Sequence, residues 1–278
     1  MTWHLTSDLD EFEAAAGDFL RADPVRNTVL LTVVASLRAS GAGAYSDVPP
    51  YFGWYADSET RAAFLRTPPM PVIVTDAPAG AMESLVAVLG GVLDGVPGLN
   101  GPSETVAAFA EAWHAATGRQ PTVAADRRLY RLTELVPPRP MPAGGARPVG
   151  DADRDLLAGW FTGFAGDVGE AMPDAARAVD RRLRNGELLL WEADGVPVSL
   201  AGNTTPVAGV ARVAPVYTPA TLRGKGYAAA VTAAVSRRAL DAGHEVILFT
   251  NLANPTSNAL YQRLGYRGIG DWSLIELG

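Results

Sequence analysis

Residues 213–228 read V-A-P-V-Y-T-P-A-T-L-R-G-K-G-Y-A. Val213, Val216 and Tyr217 have the β-branched and aromatic character of a strand, which the sequence places over 211–218 and which meets Pro219. A short turn and a basic, glycine-rich hinge follow, and the alanine-rich stretch after them predicts a helix over 227–242. A helix that starts from such a hinge leaves several backbone N–H groups unpaired. The helix dipole adds partial positive charge at the same point, so the hinge is a cradle for a phosphate or pyrophosphate. Gly224 and Gly226 allow close approach, because a side chain there would block the anion. Lys225 is the only lysine among 23 basic residues.

Three phosphate-loop patterns compete for this stretch. A Walker loop needs G-x-x-x-x-G-K-[ST], and the chain has no such string. The dinucleotide fingerprint G-x-G-x-x-[GA] is met by Gly224, Gly226 and Ala229, but its following strand should end in an acidic residue. Here the next strand, over 245–252, runs into Asn251 and Asn254 instead. The third pattern, [RQ]-x-x-G-x-[GA], is met by Arg223, Gly226 and Ala228. A glycine-rich helix start that holds no ligand is the plain alternative to all three.

The segment after the hinge bears on the choice. Gly243 supplies a helix stop, E-V-I-L-F-T is an apolar strand, and N-P-T-S-N-A-L-Y-Q-R-L-G-Y follows from Asn254. Asn254 is a good N-cap, Pro255 suits the first helical position and Gly265 the helix end. Tyr261 lies seven residues beyond Asn254, two turns along the same face. The pair of motifs resembles the GNAT-type N-acetyltransferases. Arg223, Gly226 and Ala228 match their acyl-CoA pyrophosphate loop. Asn254, Ser257, Leu260, Tyr261, Leu264, Gly265 and Tyr266 match their closing N-x-x-[AS]-x-x-L-Y-x-x-L-G-[FY] motif.

That resemblance implies an α+β chain with a GNAT-like mixed, mostly antiparallel sheet flanked by helices. It implies an N-acetyltransferase that moves an acetyl group from acetyl-CoA to a primary amine by direct attack. The backbone of Val213, Pro215, Val216 and Tyr217 would hold the pantetheine arm and the acetyl carbonyl. The amides of Arg223, Gly224, Lys225, Gly226, Tyr227 and Ala228 would hold the pyrophosphate, and the charges of Arg223 and Lys225 would face CoA phosphates. Asn254 and Ser257 would meet the cofactor arm, and Tyr261 would be the general acid for the leaving thiolate. Glu170, in the loop where such enzymes meet their acceptor, is assigned to substrate recognition. Glu187 and Glu192 are the other carboxylates considered, though such enzymes also deprotonate the amine through water. Trp160, Phe161, Phe164 and Trp191 either line the acceptor cleft or fill the core. The alternative function is a regulatory protein that binds acyl-CoA without turnover.

Composition bounds the rest. The 278 residues hold no cysteine, which excludes disulfides, thiol nucleophiles and cysteine metal sites, and the three histidines have no zinc-like spacing. No metal is expected. The net charge of −7 and the absence of a basic run argue against nucleic-acid binding. No basic and apolar leader opens the sequence and no apolar run reaches about 18 residues, so a cytoplasmic protein off the membrane is expected. The partner implied is a small-molecule or peptide amine, and the assembly a monomer or homodimer.

Residues 136–148, V-P-P-R-P-M-P-A-G-G-A-R-P, form an extended connector. The expected division is a domain over 1–136, a Pro/Gly-rich linker over 137–145 and an acetyl-CoA-binding catalytic domain over 146–278. In the second half, Asp194-Gly195 between two apolar runs predicts a hairpin, and the final strand is expected over 272–277. The first half shows a comparable rhythm, with helices over 8–20, 23–40, 80–93 and 103–117. Its strands are expected over 3–5, 51–55, 62–66, 72–75 and 127–135, with a turn over 96–102. It reads as a degenerate tandem copy, with A-P-A-G-A-M-E-S where the hinge would stand, or as an unrelated α+β domain.

Overall fold

A computed structural model of the chain describes residues 1–41, 43, 46–90, 95–169, 172 and 174–277. The chain divides into two compact units. One comprises Met1–Leu129, Asn251–Ala253 and Ile269–Gly278, and the other Tyr130–Thr250 and Asn254–Gly268.

The first unit runs β1 (Thr2–Thr6), α1 (Leu9–Ala22), α2 (Thr28–Ser40), β2 (Tyr51–Ala56), β3 (Thr60–Arg66), β4 (Val72–Val74), α3 (Ala81–Leu89), β5 (Gly98–Pro102) and α4 (Ser103–Thr117), and then enters β6 (Thr122–Leu132). β1, β2, β3 and β4 pair antiparallel in that order, and β4 pairs parallel with β5. Asp8 caps α1 through two backbone amides, as a short acceptor at that position should. Phe64, Leu85, Leu99 and Phe109 fill the core, each at most 1% exposed.

The second unit runs β7 (Gly145–Pro148), α5 (Arg154–Val168), α6 (Ala175–Arg184), β8 (Leu188–Ala193), β9 (Val196–Asn203), β10 (Val210–Tyr217), α7 (Tyr227–Asp241), β11 (Glu245–Asn251) and α8 (Pro255–Arg263), and then enters β12 (Tyr266–Glu276). β7, β8, β9 and β10 pair antiparallel, and β10 pairs parallel with β11. The β8–β9 hairpin turns at Asp194 (φ 52°) and Gly195 (φ 74°), the two left-handed residues that a tight twisted hairpin needs. α7 buries Ala230, Val231, Thr232, Ala233, Val235, Ser236 and Ala239, and these small side chains let it lie close against β8 and β9. Each fully buried Val or Leu here contributes about 1.5–3 kcal/mol.

The two halves of the chain, β1 to β6 and β7 to β12, repeat one element order, β-α-α-β-β-β-α-β-α-β, and their first five strands one sequence of polarities. In the first unit, Trp272–Glu276 of β12 pairs antiparallel with Gly98–Pro102 of β5. In the second, the end of β6 stands next to β11.

Two expectations change. The expected turn over 96–102 is strand β5, and its glycines answer to neighbouring strands. A Cβ on Gly98 would lie 2.1 Å from the Ile275 carbonyl oxygen, and one on Gly101 would lie 2.6 Å from Val74 Cγ1. The final strand begins at Tyr266 rather than at 272. The proline-rich segment 137–145 falls within the second unit. There Trp191 Nε1 donates to the Ala143 carbonyl at 2.9 Å, and Pro142 is the nearest neighbour in front of Gly226.

Candidate functional site

β10 is held differently on its two sides. Its parallel register with β11 runs through Val210, Ala211 and Arg212, opposite Glu245, Val246 and Ile247. Its antiparallel register with β9 continues to the end, pairing Val213 with Asn203, Val216 with Ala201 and Tyr217 with Leu200, and skips Ala214 and Pro215 in a bulge. From Val213 onward β10 is therefore carried by β9, and its other edge turns away from the β11 ladder. Bulges of this kind re-aim a strand next to functional sites. Val213 and Pro215 are buried there, and Val216 and Tyr217 half-buried.

After Pro219 a short 3-10 turn (Ala220–Leu222) leads to Arg223. Gly224 (φ 80°) and Gly226 (φ 84°) are both left-handed, a conformation that glycine adopts without cost. A Cβ on Gly224 would meet nothing within 4 Å, and one on Gly226 would meet only Pro142 at 3.8 Å, so the space before both is open. Gly226 caps α7 without a side chain. The first amide of α7 to find a helical acceptor is that of Ala230, bonded to the Gly226 carbonyl at 3.1 Å. Among the described residues, the amides of 224–229 have no acceptor of their own. Six donors at one helix start, beside two open glycine positions, fit an anionic group such as a phosphate or pyrophosphate.

The two cations of the loop differ. Lys225 is exposed and has no ion-pair partner among the described residues. Arg223 is engaged: its Nε donates to the Thr218 carbonyl at 3.0 Å, and its terminal nitrogen pairs with the Asp167 carboxylate of α5. No local sequence signal linked Arg223 to Asp167, since 56 residues separate them.

On α8, Asn254 Oδ1 accepts from the Ser257 amide at 3.0 Å, and Pro255 occupies the first turn. The cap uses the oxygen of Asn254. Among the described residues its Nδ2 has no acceptor, so capping and ligand contact are compatible. Tyr261 stands two turns on. Its ring meets Tyr266 edge-on, with centroids 5.9 Å apart. The packed surroundings of its phenol push the pKa up to about 12. Its hydroxyl has no hydrogen-bond partner among the described residues, in contrast to Tyr266, which exchanges a 2.6 Å bond with Ser236. Val213, Val216, Tyr227, Leu260 and Tyr261 all pack on one hydrophobic cluster, so the strand end, the cradle and α8 converge.

The carboxylates fare less well as bases. Glu170 lies outside the described residues. Glu187 is buried and satisfied: Arg182 pairs with it at 3.0 Å, and Thr205 donates its amide at 3.0 Å and its hydroxyl at 2.6 Å. Burial pulls the Arg182 guanidinium below its usual value, while Glu187 pulls it back. The Glu187 carbonyl accepts from Arg238 of α7 at 2.8 Å. Arg238 is twelve residues from Gly226, about 18 Å along the helix from the cradle. Glu192 pairs with Arg147 at 2.6 Å, and Arg147 grips Asp153 through two nitrogens at 2.7 and 2.8 Å. Phe161 and Trp191 are core residues, whereas Trp160 is half-buried and its ring lies 6.0 Å from that of Tyr217. Among the described residues no cluster of three or more acidic or histidine side chains could hold a metal. Among the same residues no helix is long and apolar enough to cross a membrane.

Residues 203–273, which include the bulged strand, the cradle and α8, match the family model of FR47-like proteins. No curated protein matches the chain. Solved structures resemble it over its whole length. An acetyltransferase of the GNAT family from Colwellia psychrerythraea is 11% identical, with a TM-score of 0.65 and all of both chains covered. A GCN5-related N-acetyltransferase from Sphaerobacter thermophilus is 16% identical, with a TM-score of 0.61 over 99% of this chain and 95% of its own. A Drosophila protein is 13% identical, with a TM-score of 0.68 over 99% of this chain and 98% of its own. At these identities the likeness is one of fold: mixed α/β, mostly antiparallel, and that of the GNAT acetyltransferases.

Proposed function

We propose that this chain, with its GNAT fold and FR47-like segment, is an acyltransferase that moves an acetyl group from acetyl-CoA to a primary amine by direct attack. The observation that carries the reading is the run of six amides over 224–229, without acceptors among the described residues, that includes two left-handed glycines. Its neighbours support it: a strand edge that leaves the β11 ladder after Arg212, and, on α8, a phenol whose hydroxyl has no hydrogen-bond partner among the described residues.

Acetyl-CoA would supply a thioester carbonyl carbon, to which the amine nitrogen bonds as the C–S bond breaks. The chain's residues do the rest. The 224–229 amides and Lys225 hold the pyrophosphate. The free edge of residues 213–217 orients the pantetheine arm, and its backbone donors face the charge that develops on the carbonyl oxygen. Asn254 Nδ2 and Ser257 reach the cofactor arm. Tyr261 stays neutral to about pH 12 and offers its hydroxyl proton to the departing sulfur. A thiol near 8.5 is a stronger acid than this phenol by about 3.5 units, so full transfer would be uphill by about 5 kcal/mol. Tyr261 therefore stabilises the leaving thiolate mainly as a hydrogen-bond donor. The amine gives its proton to water, and Glu170 recognises the acceptor. The first unit is a tandem copy that has lost the cofactor. Gly80 keeps the left-handed cap (φ 78°) at the start of α3, but Glu83 sits in that helix's first turn and no basic residue accompanies it.

Calorimetric titration of acetyl-CoA into the wild type and Gly226→Trp tests this. One site per chain, abolished by the substitution, is expected. No binding to the wild type would end the reading, and two sites would give the first unit a working cradle.

A further inference from the structure

One face of α5 runs alongside the chain from the end of β10 to the cradle. Trp160, Gly163, Phe164 and Asp167 recur at the spacing that puts side chains on one side of a helix. Trp160 and Tyr217 face each other with ring centroids 6.0 Å apart and planes tilted by 55°. Gly163 makes room for the same tyrosine, since a Cβ there would lie 2.5 Å from the Tyr217 hydroxyl. One turn further on, Asp167 pairs with Arg223, whose other hydrogen bond returns to the Thr218 carbonyl at 3.0 Å. The helix is thus fastened at two points about 10 Å apart, an aromatic one beside the strand end and an ionic one at the first residue of the cradle.

We propose that Asp167 is a positioning residue, whose pair with Arg223 makes α5 follow the cradle, so that filling the cradle is felt at Trp160 and Tyr217. This rests on the acetyl-CoA reading. The side chains of Arg223 and Asp167 are 49% and 46% exposed. An ion pair so exposed contributes little to folding. Its loss will not unfold the protein, and its geometry, between the pyrophosphate loop and the aromatic face, is what gives it consequence. Arg223 has donors beyond the two already engaged, so a pyrophosphate beside it shifts the guanidinium and the carboxylate follows. Trp160 and Tyr217, at the other fastening, are where an amine held by α5 would meet the acetyl carbonyl.

The test uses the full chain as wild type, Asp167→Asn, Asp167→Glu and Arg223→Gln, titrated with acetyl-CoA. Calorimetry gives Kd. The difference in emission between each protein and its Trp160→Phe counterpart isolates the Trp160 response. The expected result is a Trp160 response in the wild type and a loss of at least three-quarters of it in Asp167→Asn and Arg223→Gln. Asp167→Asn should keep Kd within threefold, and Asp167→Glu should restore the response. A full response in Asp167→Asn, a response that falls only in step with affinity, or a wild type that binds acetyl-CoA with no change at Trp160 would each overturn this role of Asp167. A wild type that binds no acetyl-CoA would overturn the acyltransferase reading, and the role of Asp167 with it.

Discussion

A Cβ on Gly265 would lie 1.8 Å from the carbonyl oxygen of Glu134. The glycine after α8 also has φ 97°, which L side chains rarely adopt. Its carbonyl accepts from the Thr133 amide at 3.3 Å and the Thr133 hydroxyl at 3.0 Å, while the Leu264 carbonyl accepts from the Val136 amide at 3.0 Å. The end of the helix that carries Tyr261 is therefore pinned to residues 133–136 by contacts only glycine permits. Gly265→Ala should cost about 3 kcal/mol, from the strained backbone and the forced displacement together. Chemical denaturation would read it as a lower midpoint with unchanged slope.

Tyr261→Phe keeps the ring against Tyr266 and removes one hydroxyl. Because that hydroxyl has no partner among the described residues, stability should move by under about 1 kcal/mol. The value of kcat should fall by about 10²-fold, with the Kd for acetyl-CoA within threefold. The raised pKa fixes the sign of the pH dependence. The phenol is neutral in the folded protein up to about 12, so it should put no falling limb on the rate below about pH 11. Its share of stability is complete below about pH 10, where the unfolded phenol is also neutral, and is lost as pH climbs toward 12. A falling limb near pH 9 that vanishes in Tyr261→Phe would contradict this.

Glu187 and Glu192 should be silent in the chemistry. Glu187→Gln leaves Arg182 without its counter-charge in a buried setting and should cost about 3 kcal/mol or more in thermal or chemical unfolding. Per folded molecule, its turnover should stay within threefold of wild type. Glu192→Gln, at a more exposed pair, should lose less stability and likewise keep its rate. A large drop in kcat with intact folding would return either carboxylate to the site.

Acid should act through Asp153. The Arg147 guanidinium and the Gly150 amide hold its carboxyl below the usual carboxylate range, against the opposing effect of burial. A depressed folded pKa contributes stability that is present above the unfolded value near 3.9 and is lost as pH falls through the folded one. The wild type should thus lose stability steeply below about pH 4. Arg147→Met, already lacking the pair, should show a shallower acid limb from a lower plateau. Parallel limbs in the two proteins would rule out this source.

The parts legible in the sequence were those whose causes are local. Gly224 and Gly226 mark a hinge with room for close approach, Asn254-Pro255 marks a helix start, and Asp194-Gly195 marks a tight hairpin, because each is decided within a few residues. β5 was not legible. Its G-L-N-G-P composition looks like a turn, and its glycines are explained only by Ile275 and Val74 across the sheet. Arg223 was read as a cation for phosphate because Asp167, its partner, is 56 residues upstream. Trp160 and Phe161 are adjacent in sequence, and only the packed helix shows that one is half-exposed beside Tyr217 while the other fills the core.

The first unit takes a strand from Trp272–Glu276, beside β5. On the ribosome, β5 emerges some 170 residues before the segment it pairs with. For all that time its edge is open, and the unit made first cannot finish until synthesis has passed through the second. Vectorial, domain-by-domain maturation is closed to such a chain, and the exposed β5 edge invites pairing with other nascent chains in the interval. Loss of Trp272–Glu276 would strip a strand from the unit that was translated first.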